Sequence, residues 1–594
     1  MSGGLSSTTP DGSVSVASAA HLPAVARPAD PNSPSQTNKN AALTAPPSPY
    51  ARLKSALPLV ALCAIALALI TRGMTDEATV SLQGDMPRYL MNGAYFYDFI
   101  RDLPLTHPLE YTYQYYAKYP ALSLGHHPLL LGLAEAPFYA AFGVSVFSGR
   151  VTVTFFMVMG LIAWYALVAR LYNRAVAFFA GALLVTTPYI VDLSRVVLSE
   201  IPTLALVLVA AYYFHRYCDT HRSRHAYAFA VAEAFAVYGK HLALFMLPAF
   251  LAYLALRNGV RALFKREVLV AIGIVVGLVA PLVPITLKFS QANIAWVANA
   301  GGASRLSVPN LFFYIQTLWR HHLTAPVLAL SVLALLLSIY QRDQRALFPV
   351  LWIVLFYLQI TYTCAHDARY AVYWIPPFCL LAAATYSHVP LHSGQAVAAA
   401  VLSLTVVYQV IAASGLELTH AEGYEEAAQY VVQHRKGETV LFSGNVDSGF
   451  FVFFVRKHDI DRHLIVLRAD KTLVTSSLAR IIATQLTTPE QIYAMLRDFG
   501  TAYVVLEDAP YSSPPLELLR QEVKTDHFAV RQRIPFRSNS DKLQGVDLVV
   551  YEYLDYTPAK RDRLLQMRIP LMGANVAVRF GELLPEKTGD SGQP

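Results

Sequence analysis

The chain has 594 residues, 55% of them hydrophobic and only 15% charged, with a mean hydropathy of +0.39. This balance excludes an ordinary soluble enzyme and places the bulk of the chain in a membrane. The net charge of +7 then belongs to basic loops that set topology, and no nucleic-acid partner is expected.

Residues 1–50 are rich in Ser, Pro, Ala, Thr and Asn and lack a hydrophobic period, so they read as a disordered cytoplasmic tail. The first apolar run, LKSALPLVALCAIALALIT from Leu53, has about the ~20 residues that cross a bilayer. Arg52 and Lys54 ahead of it place the N-terminus inside. A long first outer loop follows over residues 72–149. Within it HPLLLGLAEAPFYAAFG is apolar but short, interrupted by Glu135 and Pro137, and is expected to lie along the interface.

The next spans alternate in charge. Val151–Val168 runs inward to Arg170 and Arg174, Ala175–Ile190 goes out, and Ile201–Phe214 returns to Arg216, Arg222 and Arg224. Ala226–Leu256 holds two short spans, with Lys240 of VYGKHL at their outer turn, and ends at Arg257, Arg261, Lys265 and Arg266. Val268–Leu287 goes out to a loop with Arg320, His321 and His322. Ala325–Ile339 returns to Arg342 and Arg345, and Leu347–Tyr362 leads out to CAHDARY. Tyr373–Ala384 and Ala396–Ala413 complete about eleven spans, with the C-terminus outside.

Residues 51–416 thus form a polytopic α-helical membrane domain, and residues 417–594 a C-terminal α/β extracytoplasmic domain. GYEEAAQYVVQHR and PEQIYAMLRDFG have helical spacing, and ETVLFSG, HLIVLRA, TAYVVLED and DLVVYEYL read as strands. FSGNVDSG has two glycines after a strand but falls short of a dinucleotide fingerprint. Cys63, Cys218, Cys364 and Cys379 lie in or beside apolar segments without metal spacing, so neither disulfides nor zinc are expected.

The ionisable residues of the outer face carry the functional reading. Asp85 in SLQGDMPRY suits a helix cap, yet it faces cations in other outer loops. Glu200 in VVLSEIPTL opens a span, with Arg195 nearby as a partner. An ionisable group at such a boundary is a functional candidate. Lys240 is flanked by apolar residues, which suits either snorkelling or a phosphate contact. His126 and His127, with Arg369 and Tyr370 of CAHDARY, add donors on the same face.

In order along the chain, an acid after the first span, the segment HHPLLLGLAEAPFYAAFGVSVFSGR, an acid at the next outer turn and a Gly-Lys turn resemble the GT-C glycosyltransferases. The branch resembled is that of the protein O-mannosyltransferases and the lipid A aminoarabinose transferase, over roughly Leu53 to Ala413. The resemblance implies a membrane enzyme that moves a sugar from a polyprenyl-phosphate donor to an extracytoplasmic acceptor: protein, lipid A or another glycan. It implies Asp85 as the first-loop catalytic acid and Glu200 as a second catalytic acid. Donor-phosphate contacts are implied at His126, His127, Arg150, Lys240, Arg369 and Tyr370. Leu129 stands where relatives carry a second proline, and Gly84-Asp85 replaces an Asp-Glu pair, so a paired-acid mechanism is not implied. Asp85 would serve as general base and Lys240, with His127 or Arg369, as phosphate clamp, with no obligatory metal. The expected location is a bacterial inner membrane. The competing reading is a transporter or flippase for a polyprenyl-linked glycan, but no internal repeat is visible and the charges gather at one interface rather than the midplane.

Overall fold

The computed structural model describes residues 49–77, 84–291, 294, 305–389, 392–446, 448–477, 480–541, 543–569 and 574–584. The tail expected over residues 1–50 lies outside them, apart from the start of the first helix. Residues 58–594 make one compact unit.

The chain enters through α1 (Pro49–Ile70). The first loop then folds into α2 (Met86–Asp102), α3 (Pro108–Lys118) and α4 (Leu130–Phe142). The apolar segment expected along the interface is α4, a helix of 13 residues. The bundle continues with α5 (Val146–Leu171), α6 (Arg174–Thr186), α7 (Pro188–Ser194), α8 (Glu200–Thr220), α9 (Ser223–Gly239) and α10 (Leu247–Asn258). After these come α11 (Arg266–Val279), α12 (Leu282–Phe289), α13 (Val308–Thr317), α14 (Ala325–Gln341), α15 (Leu347–Tyr362), α16 (Ile375–His388) and α17 (His392–Ser414).

Five stretches among the described residues are long and apolar enough to cross a membrane by themselves, beginning with α5 and ending with α17. A sixth appears if α6 and α7 count together. The sequence count of about eleven also threads shorter or more polar helices such as α8, α9 and α14. The run Ala175–Ile190, expected as one straight span, is bent by 62° between α6 and α7. Pro188 lacks the N–H that would continue the helix and disfavours helical geometry at Thr187, whose ψ is 120°.

Local chemistry fixes the helix starts. Ser145 caps α5 by accepting from the Ser148 N–H, and the Glu77 carboxylate accepts from the next exposed amides, those of Val146 and Phe147. α9 ends at Gly239, and Lys240 is fully extended at φ −164°. A Cβ at Gly239 would stand 2.4 Å from Thr203 Oγ1 on α8, so glycine lets the end of α9 close onto the start of α8. That contact brings Lys240 to Glu200.

Beyond α17 the chain forms an α/β layer. Strands β1 (Thr439–Ser443), β2 (Ile465–Arg468), β3 (Thr501–Glu507), β4 (Phe528–Pro535) and β5 (Asp547–Tyr553) make one sheet in the order β2-β1-β3-β5-β4. The first three are parallel, and β5 is antiparallel to β3 and β4. The sequence places four of these strands and two flanking helices, α18 (Tyr424–Gln433) and Pro489–Asp498. It misses β4 and the helix α19 (Ser448–His458). In α19 a run of aromatic and β-branched residues gives no polar face, because the helix is buried all round. The turn after β1 holds no open phosphate cradle: the Glu507 carboxylate already accepts from the N–H groups of Asn445 and Val446.

Candidate active site at the start of α8

Five chain segments converge at one end of the bundle. Asp85 occupies the N-cap position of α2, but its side chain makes no capping bond. One carboxylate oxygen lies 3.0 Å from Arg369 Nη1, and the other lies 3.3 Å from Arg88 and 3.6 Å from His127 Nε2. Glu200, in the first turn of α8 where the helix dipole favours an anion, lies 2.5 Å from Lys240 Nζ and 4.0 Å from Arg369. Lys240 also stands 4.7 Å from the centre of the Tyr370 ring, close enough for a cation–π contact.

Depth separates the two acids. The Asp85 side chain is 28% exposed and Arg369 23%, whereas Glu200 is 2% exposed. A molecule approaching this face therefore meets Asp85 and Arg369 first, with Glu200 buried beneath them. A buried carboxylate is costly without a partner, and Lys240 supplies it.

The electrostatics follow the geometry. Burial alone would raise the Asp85 pKa, but His127, Arg369 and Arg88 outweigh it and hold the carboxylate well below its usual range. Burial pushes His127 down strongly and His126 down to about 4, so both are neutral at pH 7. At that pH the two arginines are the cations facing Asp85. Arg369 is partly buried, which would lower it, yet Glu200, Asp367 and Asp85 raise it and keep it charged.

The loop bearing Arg369 is built from behind. Asp367 caps its own turn by accepting from the Arg369 N–H, and its carboxylate also takes the guanidinium at 2.9 Å. Trp374 Nε1 donates to His322 Nδ1, which leaves His322 Nε2–H to donate to the Ala368 carbonyl at 2.9 Å. Burial lowers the His322 pKa to about 4, consistent with that neutral tautomer. His322, placed by the sequence in the loop after Val268–Leu287, thus braces the Arg369 loop through both ring nitrogens.

Seven of the eight sequence candidates gather here: Asp85, Glu200, His127, Lys240, Arg369 and Tyr370, with the His126 ring edge-to-face against His127, centres 4.8 Å apart. Arg150 does not join them. It donates to the carbonyls of Gly73 and Asp76 at 2.9 and 3.0 Å and fastens the start of the first loop. Arg195, expected beside Glu200, donates instead to the Leu416 carbonyl at 3.1 Å. Sequence reasoning assigns no role to Arg88, one turn beyond Asp85 on α2, nor to Tyr89, whose hydroxyl lies 2.9 Å from Ser199 and whose ring packs on His127. Among the described residues no group of three His, Cys, Asp or Glu side chains has a metal-holding arrangement.

The far end of α2 is held by the C-terminal layer. Asp98, wholly buried, takes a two-pronged contact from Arg456 of α19 at 2.8 and 2.5 Å and a hydrogen bond from Tyr115. Asp102 takes Arg462 at 2.6 and 2.9 Å, and Glu77 takes Lys457 at 2.9 Å. The helix that starts at Asp85 is thus anchored at both ends.

The described residues thus combine a bent helical bundle, five of whose stretches are long and apolar enough to cross a membrane, with a folded first loop and a cluster of acids and cations, and this fold recurs in solved structures. The fold matches ArnT from Cupriavidus metallidurans bound to undecaprenyl phosphate with a TM-score of 0.55 at 12% identity, covering 83% of this chain and 97% of that one. The apo state of the same protein matches at 0.50 and 14% identity over the same shares. Residues 126–285 match the family described as dolichyl-phosphate-mannose-protein mannosyltransferase, a stretch that holds His126, His127, Glu200 and Lys240. No curated protein matches the chain.

Proposed function

We propose that the protein is a glycosyltransferase that moves a sugar from a polyprenyl-phosphate donor to an acceptor on the extracytoplasmic side of a bacterial inner membrane. The observation that carries this reading is the meeting of Asp85, Glu200, Lys240 and Arg369 from four separate segments, with Asp85 and Arg369 open to substrate. The similarity to ArnT, a protein seen with undecaprenyl phosphate, supports the donor class.

The donor phosphate enters against Lys240 and Arg369, both of which it shares with carboxylates. As the phosphate draws Arg369 away, Asp85 loses a counter-charge and its basicity rises towards that of an ordinary carboxylate. The acceptor oxygen or nitrogen attacks the anomeric carbon from the face opposite the phosphate and gives its proton to Asp85. The sugar–phosphate C–O bond breaks with its electron pair passing to the phosphate, whose growing charge Lys240 and Arg369 stabilise. The anomeric configuration inverts in this single displacement. Glu200, too deep to reach the acceptor, acts as a positioning residue that holds Lys240. His127 is neutral and donates a hydrogen bond rather than a charge. Residues 417–594 act as an extracytoplasmic domain that pins α2.

The test is transfer of radiolabel from polyprenyl-phosphate sugars to envelope extract by the purified protein. Transfer that requires Asp85 and Lys240 supports the reading. Movement of lipid-linked sugar across proteoliposomes with no transfer from any donor would replace it with a flippase.

A further inference from the structure

A second charged cluster lies at the other end of α8. Asp219 accepts from Arg170 of α5 at 2.9 Å and from Arg257 of α10 at 2.6 Å, and Arg257 also contacts His215 at 3.0 Å. From Glu200 to Asp219 along one continuous helix is about 28 Å at ~1.5 Å per residue, close to the ~30 Å of a bilayer's hydrocarbon. The two clusters therefore face opposite membrane surfaces.

The Asp219 cluster borders an open cavity of about 940 Å³ that also takes in Arg342 and Arg345 from the connection between α14 and α15. Asp343 engages Arg345 at 2.8 Å. The Arg342 N–H caps the end of α14, but its guanidinium makes no hydrogen bond or ion pair among the described residues. Four guanidinium groups thus meet two carboxylates, which leaves excess positive charge in a roofless cavity. The walls are apolar and face outward: Leu256 and Ile339 line the cavity and are 64% and 66% exposed. A guanidinium floor matches the oxygens of a phosphate, and an exposed apolar lip matches a hydrocarbon chain but not a soluble ion.

We propose that this cavity binds the phosphate headgroup of an anionic lipid in the leaflet opposite the Asp85 site, with the lipid's chains lying along Leu256 and Ile339. Arg342 is the free arm of the site, and Arg170, Arg257 and Arg345 are held in place by their carboxylates. The site needs no sugar donor and stands independently of the transfer reaction.

The experiment is native mass spectrometry of the full chain in detergent, offered equal phosphatidic acid and phosphatidylcholine, and separately inorganic phosphate. Wild type and Lys240→Ala are each expected to retain one phosphatidic acid in preference to phosphatidylcholine. The double variant Arg342→Gln/Arg345→Gln should weaken that preference roughly tenfold to a hundredfold. Arg342→Gln alone breaks no contact, so it keeps the fold and should show a smaller loss in the same direction. An unchanged preference in the double variant, or loss of the preference in Lys240→Ala, overturns the proposal. Binding of inorganic phosphate with no lipid retained assigns the cavity to a soluble phosphate and overturns the lipid assignment.

Discussion

The two ends of α8 carry the same residue types in different arrangements. Around Glu200, three carboxylates (Asp85, Glu200 and Asp367) interlock with Arg88, Lys240 and Arg369, and the deepest of them is almost completely buried. Around Asp219, arginines outnumber aspartates and Arg342 is left over. A balanced network holds its members in fixed geometry and gives up a cation only to a competing anion, as a reaction that begins with phosphate binding requires. An excess of cations at an open rim holds an anion without rearrangement and performs no chemistry on it. On the proposed reading, balance with burial suits the first site to turnover, and excess with exposure suits the second to docking.

The largest expected effect that separates the two ends is on the chemical step. Asp85→Asn should lower kcat by about 10²- to 10⁴-fold with donor KM nearly unchanged, whereas Asp219→Asn should leave kcat within a few-fold of wild type; steady-state transfer assays on both variants check this. Next comes the anchor of α2. Arg456→Met removes the two-pronged partner of buried Asp98 and leaves it only the longer contacts to Arg101 and Arg462 at 3.6 and 3.9 Å, so it should destabilise the protein by about 3 kcal/mol, read by thermal or denaturant unfolding in detergent. The paired variant Arg456→Met with Asp98→Leu should recover much of that loss, because both charges are then gone.

Lys240→Ala should raise donor KM by roughly ten- to a hundredfold and Lys240→Arg should recover part of the loss; an equal effect of both would mean that the residue only fills space. A finer measurement is the pH profile. Asp85 is held below the usual carboxylate range by positive neighbours, so the acid limb of kcat/KM in wild type lies below that range. Arg369→Gln removes one of those neighbours, Asp85 then holds its proton to higher pH, and the limb must move up. A limb that stays in place would detach Asp85 from Arg369.

What the sequence revealed of this arrangement depended on isolation. Glu200 and Lys240 are single charges beside apolar runs, where an ion is costly enough to signal purpose; Asp85 and Arg369 lie in polar outer loops with Arg88 and Asp367 close by, and all four meet. The strands β1, β2, β3 and β5 were equally legible because their β-branched runs are bounded by turns. Arg150 and Arg195 looked the same in the sequence, yet both satisfy loop carbonyls, since nothing local distinguishes an arginine that tethers a loop from one that holds a ligand. The bend at Pro188 was written in the residue type but hidden by the apolar run around it. The Asp98–Arg456 anchor joins residues 358 positions apart, beyond any periodicity.

In the proposed mechanism Asp85, freed from Arg369 by the donor phosphate, takes the acceptor proton. Its most direct test is single-turnover transfer from a saturating radiolabelled polyprenyl-phosphate sugar, comparing wild type with Asp85→Asn after both are shown to be folded and donor-bound. The variant is expected to bind donor and fail to transfer it. Transfer at the wild-type rate by Asp85→Asn would contradict it.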